Sequence, residues 1–227
     1  MKISTKTLDI LKNFSEINQS IVIKSGNSIK TVNPLKNILA KAEVEEDFPQ
    51  DFAIYQLNEF IGLLSVLNEP DLTFNEKYLT VSTNDDKVNY FYADPTFIVQ
   101  PEKELNMPEC EINFDLTKDT YLYLNKMANI LQLHDIQLKG CQKSNKVYLC
   151  LTNKKDNTSN DYSRIVGDLT SKSFNIFFKR ENLKIIPGDY KVSISSKGVS
   201  HFKHTTENLE YWIALEPDSN YGEENGS

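Results

Sequence analysis

The sequence predicts an α+β protein made of two similar domains, each with two helices packed on β-sheets. The chain has 227 residues, which suits two domains of about 110 residues better than one. Apolar residues make up 39% and aromatic residues 11%, with only eight glycines and eight prolines, a composition typical of a globular protein. The order helix, strands, helix, strands occurs twice and places the domains at residues 1–107 and 108–227.

The first helix of each half carries an N-terminal cap and one apolar side. The stretch STKTLDILKNFSEI begins at Ser4 and TKDTYLYLNKMANI begins at Thr117, and both residues are favourable N-caps. At about 100° per residue, the apolar positions gather on one side of each helix. They are Leu8, Ile10, Leu11, Phe14 and Ile17 in the first helix, and Tyr121, Leu124, Met127, Ala128 and Leu131 in the second. Lysine is therefore left on the side away from the core.

A second repeated stretch follows β-rich runs in both halves. The runs are SIVIKSG, NSIKTV and NILAKAEV in the first half, and DIQLKG, KVYLCLTN and YSRIVGDL in the second. DFAIYQLNEFIGLL and SFNIFFKRENLKII are each predicted to form a short strand that passes directly into a short helix. Each then reaches a proline, Pro70 or Pro187, before further strands. The shared order indicates a duplication, with the proline-containing residues 94–109 as an extended linker.

Acidic residues outnumber basic residues, but the two are distributed unevenly. The formal net charge is −7, which argues against a generic nucleic-acid binder because such proteins usually carry a basic excess. Residues 1–107 hold 10 Lys and Arg against 16 Asp and Glu, whereas residues 108–227 hold 15 against 16. Acid gathers in the predicted loops EVEED and NDD and in the tail YGEENGS, while the predicted helices keep their cations.

The sequence carries no recognisable set of catalytic or metal-binding residues. It lacks Gly-x-Ser-x-Gly, a phosphate-binding glycine loop and His-Glu-x-x-His, so we expect neither an enzyme nor a cofactor. Cys110, Cys141 and Cys150 are odd in number and unsuited to a zinc site, so we interpret them as reduced and structural. His201 and His204 stand in a predicted strand, where their odd spacing sends the side chains to opposite faces.

Four stretches resemble the sliding clamps, or polymerase processivity factors, of T-even-like bacteriophages. They are LKNFSEINQSIVIKSG, FAIYQLNEFIGLLSVLNE, PGDYKVSISSKG and YWIALEPDS, and the resemblance runs essentially end to end. It implies the DNA-clamp fold, a homotrimeric ring around double-stranded DNA, and helices that line the hole. The implied location is the cytoplasm of the infected bacterial host, without a membrane segment. This agrees with an N-terminus that lacks a signal-peptide cleavage pattern.

The resemblance assigns the outward cations of the helices to sequence-independent contact with DNA phosphates. The implied DNA-binding residues are Lys6, Lys12, Lys118, Lys126, Lys179, Arg180 and Lys184. The second helix has no cation, only Asn58 and Glu59 near its start, and should add little attraction. Taken singly, each lysine also fits an ordinary solubilising role.

Two protein surfaces are implied as well. A groove for a partner peptide would be bounded by Phe97, Ile98, Val99 and Pro101 of the linker and by Ala214, Leu215 and Pro217 after the last strand. The alternative is that these residues only cover the domain junction. Subunits would join by edge strands, through Val88, Tyr90 and Tyr92 of one chain and Tyr162, Arg164 and Val166 of the next. Such pairing hides strand edges that otherwise invite aggregation.

The implied partners are the replicative DNA polymerase, a clamp-loader ATPase and, as further candidates, transcription factors active in late transcription. A competing interpretation is a non-enzymatic, two-domain, β-rich interaction or virion protein that forms no ring. A hydrolase with an unrecognised site is a third alternative, and the absence of an acid, base and nucleophile set argues against it.

Overall fold

The computed structural model describes residues 1–101, 105–156, 158–169 and 172–222. The chain divides into two compact units, Met1–Glu104 and Leu105–Ser227. No helix within the described ranges is both long enough and apolar enough to cross a membrane. Residues 102–104 of the predicted linker and residues 223–227 of the predicted acidic tail lie outside the described residues.

The first unit combines two α-helices with three small antiparallel sheets. Its elements are α1 (Thr5–Ile17), β1 (Ile21–Ile23), β2 (Gly26–Val32), β3 (Ile38–Phe48), β4 (Phe52–Ile54), α2 (Leu57–Val66), β5 (Asp71–Phe74), β6 (Tyr78–Ser82), β7 (Lys87–Phe91) and a 3-10 turn (Pro95–Phe97). β1 pairs with β4, β2 pairs with β3, and β5, β6 and β7 follow one another in a meander with β7 at one edge. α1 packs against α2 and β3.

Helix α1 begins where the sequence predicts and is tied to β3 by a buried carboxylate. The Ser4 hydroxyl accepts the backbone N–H of Thr7 at 3.2 Å. Glu46 of β3 accepts the backbone N–H of Ser4 at 2.5 Å and also the hydroxyl of Thr7. The buried side holds Thr7, Ile10, Leu11, Phe14 and Ile17. A carboxylate at a helix N-terminus is favoured by the helix dipole, so Glu46 fixes both the position and the start of α1.

Strand β3 extends further than the sequence analysis predicts. The acidic stretch EVEED, predicted as a loop, forms the second half of this strand. Val44 and Glu46 are buried, whereas Glu43, Glu45 and Asp47 are exposed. This alternation is the ordinary period of a strand with one face in the core. The loop prediction is wrong because the acidic composition obscured a period-two pattern.

The second unit is richer in strands. Its elements are β8 (Ile112–Leu116), α3 (Lys118–Leu131), β9 (Asp135–Cys141), β10 (Lys146–Thr152), β11 (Tyr162–Asp168), β12 (Phe174–Lys179), a 3-10 turn (Arg180–Asn182), β13 (Tyr190–Ser195), β14 (Val199–His204), β15 (Leu209–Ala214) and β16 (Asn220–Tyr221). Strands β15, β14, β13 and β8 are neighbours in that order. A five-stranded sheet has the order β11, β10, β9, β12, β16, with β11 at one edge.

Helix α3 covers one face of the five-stranded sheet. The Tyr123 ring of α3 lies 5.9 Å from the Tyr162 ring, and the Arg164 guanidinium lies 5.6 Å from the Tyr123 ring. The register places Tyr162 opposite Leu151 and Arg164 opposite Leu149. Because directly paired residues point to the same side of a sheet, α3 lies on the face that holds these buried leucines.

The predicted fourth α-helix does not form. Phe174–Lys179 is strand β12, and the chain then makes a 3-10 turn, Arg180–Asn182. The predicted helical run would have to continue through Ile185 and Ile186 into Pro187. β-Branched side chains disfavour a helix slightly, and the residue before proline avoids helical geometry. The four-helix prediction is therefore wrong by one helix, while the α+β class holds.

Tyrosine hydroxyls form hydrogen bonds with backbone groups that an α-helix would have paired internally. Three buried tyrosines from α3, β13 and β15 converge on the segment after the turn. Tyr121 donates to the carbonyls of Leu183 at 3.0 Å and Ile185 at 3.3 Å, Tyr190 donates to the carbonyl of Ile186 at 2.6 Å, and Tyr211 accepts the N–H of Ile186 at 3.2 Å. Buried backbone polar groups need such partners, so this cluster stabilises an extended segment in place of a helix.

Candidate nucleic-acid interface

Helix α1 presents the two predicted cations of the first unit. Lys6 and Lys12 are exposed, on the side opposite the buried residues. The Lys12 ammonium makes an ion pair with Asp9 at 3.1 Å, and both side chains are more than half exposed. An exposed pair of this kind contributes little to stability and can rearrange toward another anion. As predicted, α2 shows no cation, because its exposed start holds only Asn58 and Glu59.

Helix α3 carries two of the second unit's five predicted cations. Thr117 caps the helix as predicted, with its hydroxyl accepting the backbone N–H of Thr120 at 3.2 Å. Lys118 and Lys126 are exposed. The backbone N–H of Lys118 donates to Asp189 at 2.7 Å, so a carboxylate stands at this helix start as Glu46 does at α1.

Arg180 lies against the same helix although it belongs to the 3-10 turn. Its Nη2 donates to Oδ1 of Asn129 at 2.5 Å, and its Nε lies 3.4 Å from Oδ1 of Asn125. Its backbone N–H donates to the carbonyl of His134 at 3.0 Å, which fixes the main chain. Lys184 follows the turn and is partly buried. Arg180 and α3 therefore form one continuous polar surface.

Lys179 is placed differently from the other predicted DNA-binding residues. It pairs with Asp135 in the β12–β9 register, next to the pair of Phe178 with Ile136. Phe178 and Ile136 are buried on the face that α3 covers, so Lys179 points to the opposite face. There its ammonium lies 2.5 Å from the buried Asp135 carboxylate. The structure separates Lys179 from the α3 surface.

The environment of Asp135 explains why this ion pair is a structural feature. Burial raises the pKa of Asp135, but hydrogen bonds from Lys179 and from the backbone N–H of Lys154 outweigh it, and the pKa is lowered. The hydrogen bond from Lys179 to Asp135 raises the pKa of the lysine. The Lys154 ammonium also lies 4.5 Å from the Phe177 ring and 2.8 Å from Asp218. Lys179 thus belongs to a cluster of charges on the face away from α3.

The residues predicted to bound a partner groove belong to two separate units. Phe97 is 77% exposed and Val99 is 37% exposed, whereas Ile98 is buried against Val22 and Ala53. The Val99 carbonyl accepts the Asn18 amide at 3.2 Å. Pro101 is partly buried. In the second unit, Ala214 ends β15, the N–H of Leu215 donates to the Gly198 carbonyl at 2.9 Å, and Pro217 is exposed.

The residues predicted at the subunit interface belong to strands at sheet edges. Val88 and Tyr90 lie in β7, and Tyr92 follows it directly. Tyr162, Arg164 and Val166 lie in β11. Within the described chain, β7 and β11 are the outermost strands of their sheets. The Tyr90 ring packs on Phe60 of α2 at 5.3 Å, as Tyr162 packs on α3. Each edge strand is therefore flanked by a helix.

Two asparagines, Asn125 and Asn129, are the site residues that sequence analysis missed. Their spacing of four on the outward side of α3 was a usable pattern, because residues at i and i+4 lie on one helix face. Their contact with Arg180, more than 50 residues away in the chain, was not readable from local sequence. The contact depends on the 3-10 turn, which replaced the predicted helix.

The cysteines and histidines occupy structural positions. All three cysteines are unpaired, and burial raises the pKa of the Cys150 thiol to about 11, which keeps it protonated at neutral pH. His201 stacks on Trp212 and contacts Glu210 at 2.7 Å, whereas His204 lies edge-on to the buried Tyr190. The two histidines thus face opposite sides of β14, as their spacing predicts. Among the described residues, no group of three or more His, Cys, Asp and Glu could hold a metal.

Comparisons with known proteins agree with this geometry. Residues 2–100 match the family described as DNA polymerase processivity factor, and residues 113–217 match the family described as gp45 sliding clamp, C terminal. The sliding clamp of Vibrio phage KVP40 is 34% identical over 221 residues, covering 95% of this chain and 99% of that protein. The sliding clamp of Enterobacteria phage T4 is 30% identical over 228 residues, covering 97% and 99%.

A solved structure supports the fold independently. The structure of the C-terminal region of FEN-1 bound to A. fulgidus PCNA matches with a TM-score of 0.64 and 11% identity, over 94% of this chain and 96% of that one. At this identity the likeness concerns the fold, and it confirms the predicted DNA-clamp fold. The T-even-like phage resemblance is also confirmed. The chain belongs to the family of phage sliding clamps, which are DNA polymerase processivity factors.

Proposed function

We propose that this sliding clamp works as a homotrimeric ring that encircles duplex DNA and tethers the replicative polymerase by topological linkage. The observation that carries the proposal is the placement of cations in an acidic chain. Lys6, Lys12, Lys118 and Lys126 are exposed on the outward faces of α1 and α3, and Arg180 lies against α3. In a ring with helices inward, these cations would contact phosphates, which carry no sequence information. Weak contacts of this kind permit sliding.

The proposed interface joins the edge of one chain's first unit to the edge of the next chain's second unit. Both edge strands carry exposed apolar side chains, Phe91 at 69% on β7 and Ile165 at 55% on β11. A second copy of the chain would cover them and pair β7 with β11. Pairing of edge strands between subunits satisfies backbone groups that a single chain leaves open.

Opposite charges at the two edges support the same pairing. Glu59 lies beside β7, since burial and, secondarily, the Glu59 charge raise the pKa of Tyr90. Arg164 lies on β11 over the Tyr123 ring. An acidic residue beside one edge and a basic residue on the other are complementary in a head-to-tail ring, and complementarity fixes the register of association. We therefore infer an ion pair between Glu59 of one subunit and Arg164 of the next.

A charge exchange tests the ring and its register together. Light scattering across a concentration series should show a trimer or a monomer–trimer equilibrium. Arg164→Glu and Glu59→Arg should each raise the concentration needed for trimer formation about tenfold or more, because like charges would then face each other. The double variant with both substitutions should form trimers at a concentration closer to that of wild type. Lys203→Glu, on the exposed part of β14, should behave as wild type. A chain that stays monomeric at all concentrations and does not stimulate its polymerase on primed DNA would refute the ring.

The other partners follow from the same proposal. A closed ring needs a machine that opens it, so we infer a clamp-loader ATPase, and the ring itself is assigned no reaction or cofactor. The proposed polymerase contact uses a peptide, for which the exposed Phe97 and Val99 of the first unit are candidate anchors. The FEN-1 C-terminal region bound to a PCNA shows that a protein of this fold binds such a segment. Transcription factors are further candidate partners, and the proposed location is the host cytoplasm.

A further inference from the structure

The cations predicted to meet DNA differ in the groups that hold them. The Lys179 ammonium is paired with the Asp135 carboxylate at 2.5 Å, and the Lys12 ammonium with the Asp9 carboxylate at 3.1 Å. Arg180 instead meets two amide oxygens, from Asn125 and Asn129 of α3. A carboxylate cancels a positive charge, whereas an amide oxygen accepts a hydrogen bond and leaves the charge in place.

One of the two side-chain amides, that of Asn125, is itself held in orientation by its own helix. Nδ2 of Asn125 donates to the Tyr121 carbonyl at 3.2 Å, so its oxygen is the end that faces the guanidinium. The Asn129 amide projects from the last turn of α3, where the backbone carbonyl of Asn129 accepts the Gln132 side chain at 2.5 Å. That helix end carries partial negative charge, which favours a nearby cation without neutralising it. The acceptors for Arg180 are therefore provided by a rigid element.

Arg180 keeps donors available after these contacts. A guanidinium has about five N–H groups in one plane, and the asparagines take two of them, at Nε and Nη2. The remaining donors suit the paired oxygens of a phosphate, which arginine recognises better than lysine does. Lys126 is exposed on the helix between the two asparagines. A phosphate placed at this surface would meet an oriented guanidinium and a nearby ammonium.

We propose that Asn125 and Asn129 are positioning residues that hold the Arg180 guanidinium ready for a phosphodiester of duplex DNA while leaving its charge uncancelled. This inference rests on the proposed function of encircling DNA. Holding the side chain in advance reduces the entropy lost when a long, flexible residue is ordered by its ligand. The use of asparagine in place of aspartate is the distinctive feature, because aspartate would hold the arginine equally well and remove its attraction for phosphate.

The test is a set of equilibrium titrations of the full chain with a short blunt DNA duplex of mixed sequence, at several salt concentrations. Arg180→Gln should weaken binding and lower the log-log salt slope by about 0.9 for each Arg180 in the ring that contacts a phosphate. Asn125→Ala with Asn129→Ala should weaken binding about threefold to tenfold through the lost ordering. Asn129→Asp should weaken it further than Asn129→Ala, since it keeps the contact and cancels the charge.

A double-mutant cycle separates positioning from a general structural effect. In the Arg180→Gln background, the two alanine substitutions should have no further effect on binding. Asn58→Ala, an exposed helical asparagine of α2, is the matched control and should bind as wild type. Two results would overturn this inference and leave the proposed function standing. One is an equal effect of the alanine substitutions in the wild-type and Arg180→Gln backgrounds, and the other is an Asn129→Asp variant that binds as tightly as wild type. A wild-type chain that shows no salt-dependent binding would overturn the proposed function with it.

Discussion

The buried carboxylate of Glu46 determines where helix α1 sits. Its two oxygens accept the backbone N–H of Ser4 and the hydroxyl of Thr7, so both meet the first turn of the helix. Burial raises the pKa of Glu46, but the hydrogen bonds from Thr7 and Ser4 lower it below the ordinary value of 4.5. The same side chain thus accepts the otherwise unpaired N–H of Ser4 at the helix start. It also places a negative charge at the positive end of the helix dipole. The outward direction of Lys6 and Lys12 depends on this anchor.

Replacing Glu46 by glutamine should lower the free energy of unfolding at neutral pH by about 1–3 kcal/mol, the usual range for a hydrogen bond to a charged group. A carboxyl whose pKa is depressed in the folded state stabilises the fold above its unfolded pKa. That contribution is lost as the pH falls through the folded pKa. The difference between wild type and Glu46→Gln should therefore shrink below pH 4.5.

Denaturant unfolding at neutral and acidic pH measures this difference. Glu45→Gln, the exposed neighbour on the other face of β3, is the matched control and should change stability little at either pH. A Glu46→Gln variant as stable as wild type at neutral pH would contradict the assigned role.

Local and distant partners explain which residues sequence analysis could identify. The caps Ser4 and Thr117 were predictable because each bonds an N–H three residues away in its own helix. Glu46 was not, since its partners lie 39 and 42 residues earlier in the chain. The ion pair of Lys179 was not predictable for the same reason, because its partner Asp135 lies 44 residues away on a neighbouring strand.

At the scale of elements, amphipathic helices were predictable and the irregular segment was not. α1 and α3 follow a 3.6-residue period that any helix with one buried side must show. The stretch after β12 has no such independent period, and three tyrosines from other elements decide its conformation. Strand β3 shows the converse case. Packing on the core makes buried and exposed residues alternate along it, but the many acidic residues obscured this pattern in the sequence.

The tyrosine cluster predicts that the hydroxyl of Tyr190 contributes to the stability of the segment after β12. Tyr190→Phe removes the hydroxyl that donates to the Ile186 carbonyl at 2.6 Å and leaves that partly buried acceptor without this donor. We expect a loss of about 1–3 kcal/mol in the free energy of unfolding. Thermal or denaturant unfolding measures it, and hydrogen exchange should show earlier opening around residues 183–187.

Tyr148→Phe on β10 serves as the control for Tyr190→Phe. Tyr148 is only partly buried, and its side chain points to the sheet face away from α3. The Tyr148→Phe variant should therefore have the same free energy of unfolding as wild type. Equal destabilisation by both substitutions would mean that the hydroxyl of Tyr190 has no special role in holding the segment.

At the scale of the whole molecule, the proposed function requires an acidic chain to bind an acidic polymer through a small part of its surface. The net charge of −7 repels DNA at a distance, so attraction has to come from cations that share one face. Within each unit the exposed lysines stand on the outward side of one helix, α1 or α3, whereas Lys179 lies on the opposite face of its sheet against Asp135. Charge distribution, rather than total charge, therefore decides whether this protein can hold a duplex.

The salt dependence of DNA binding distinguishes these two kinds of lysine. Lys126→Gln should lower the log-log salt slope by about 0.9 for each Lys126 that contacts a phosphate in the proposed ring, and should leave the free energy of unfolding nearly unchanged. Lys179→Gln should leave the slope unchanged and lower the free energy of unfolding by about 1–3 kcal/mol, because the buried Asp135 loses its ion-pair partner. Titration with duplex DNA and denaturant unfolding on the same two variants provide both measurements. If Lys179→Gln reduced the slope as much as Lys126→Gln, the face of the sheet opposite α3 would also meet DNA, and a ring lined by helices alone would be wrong.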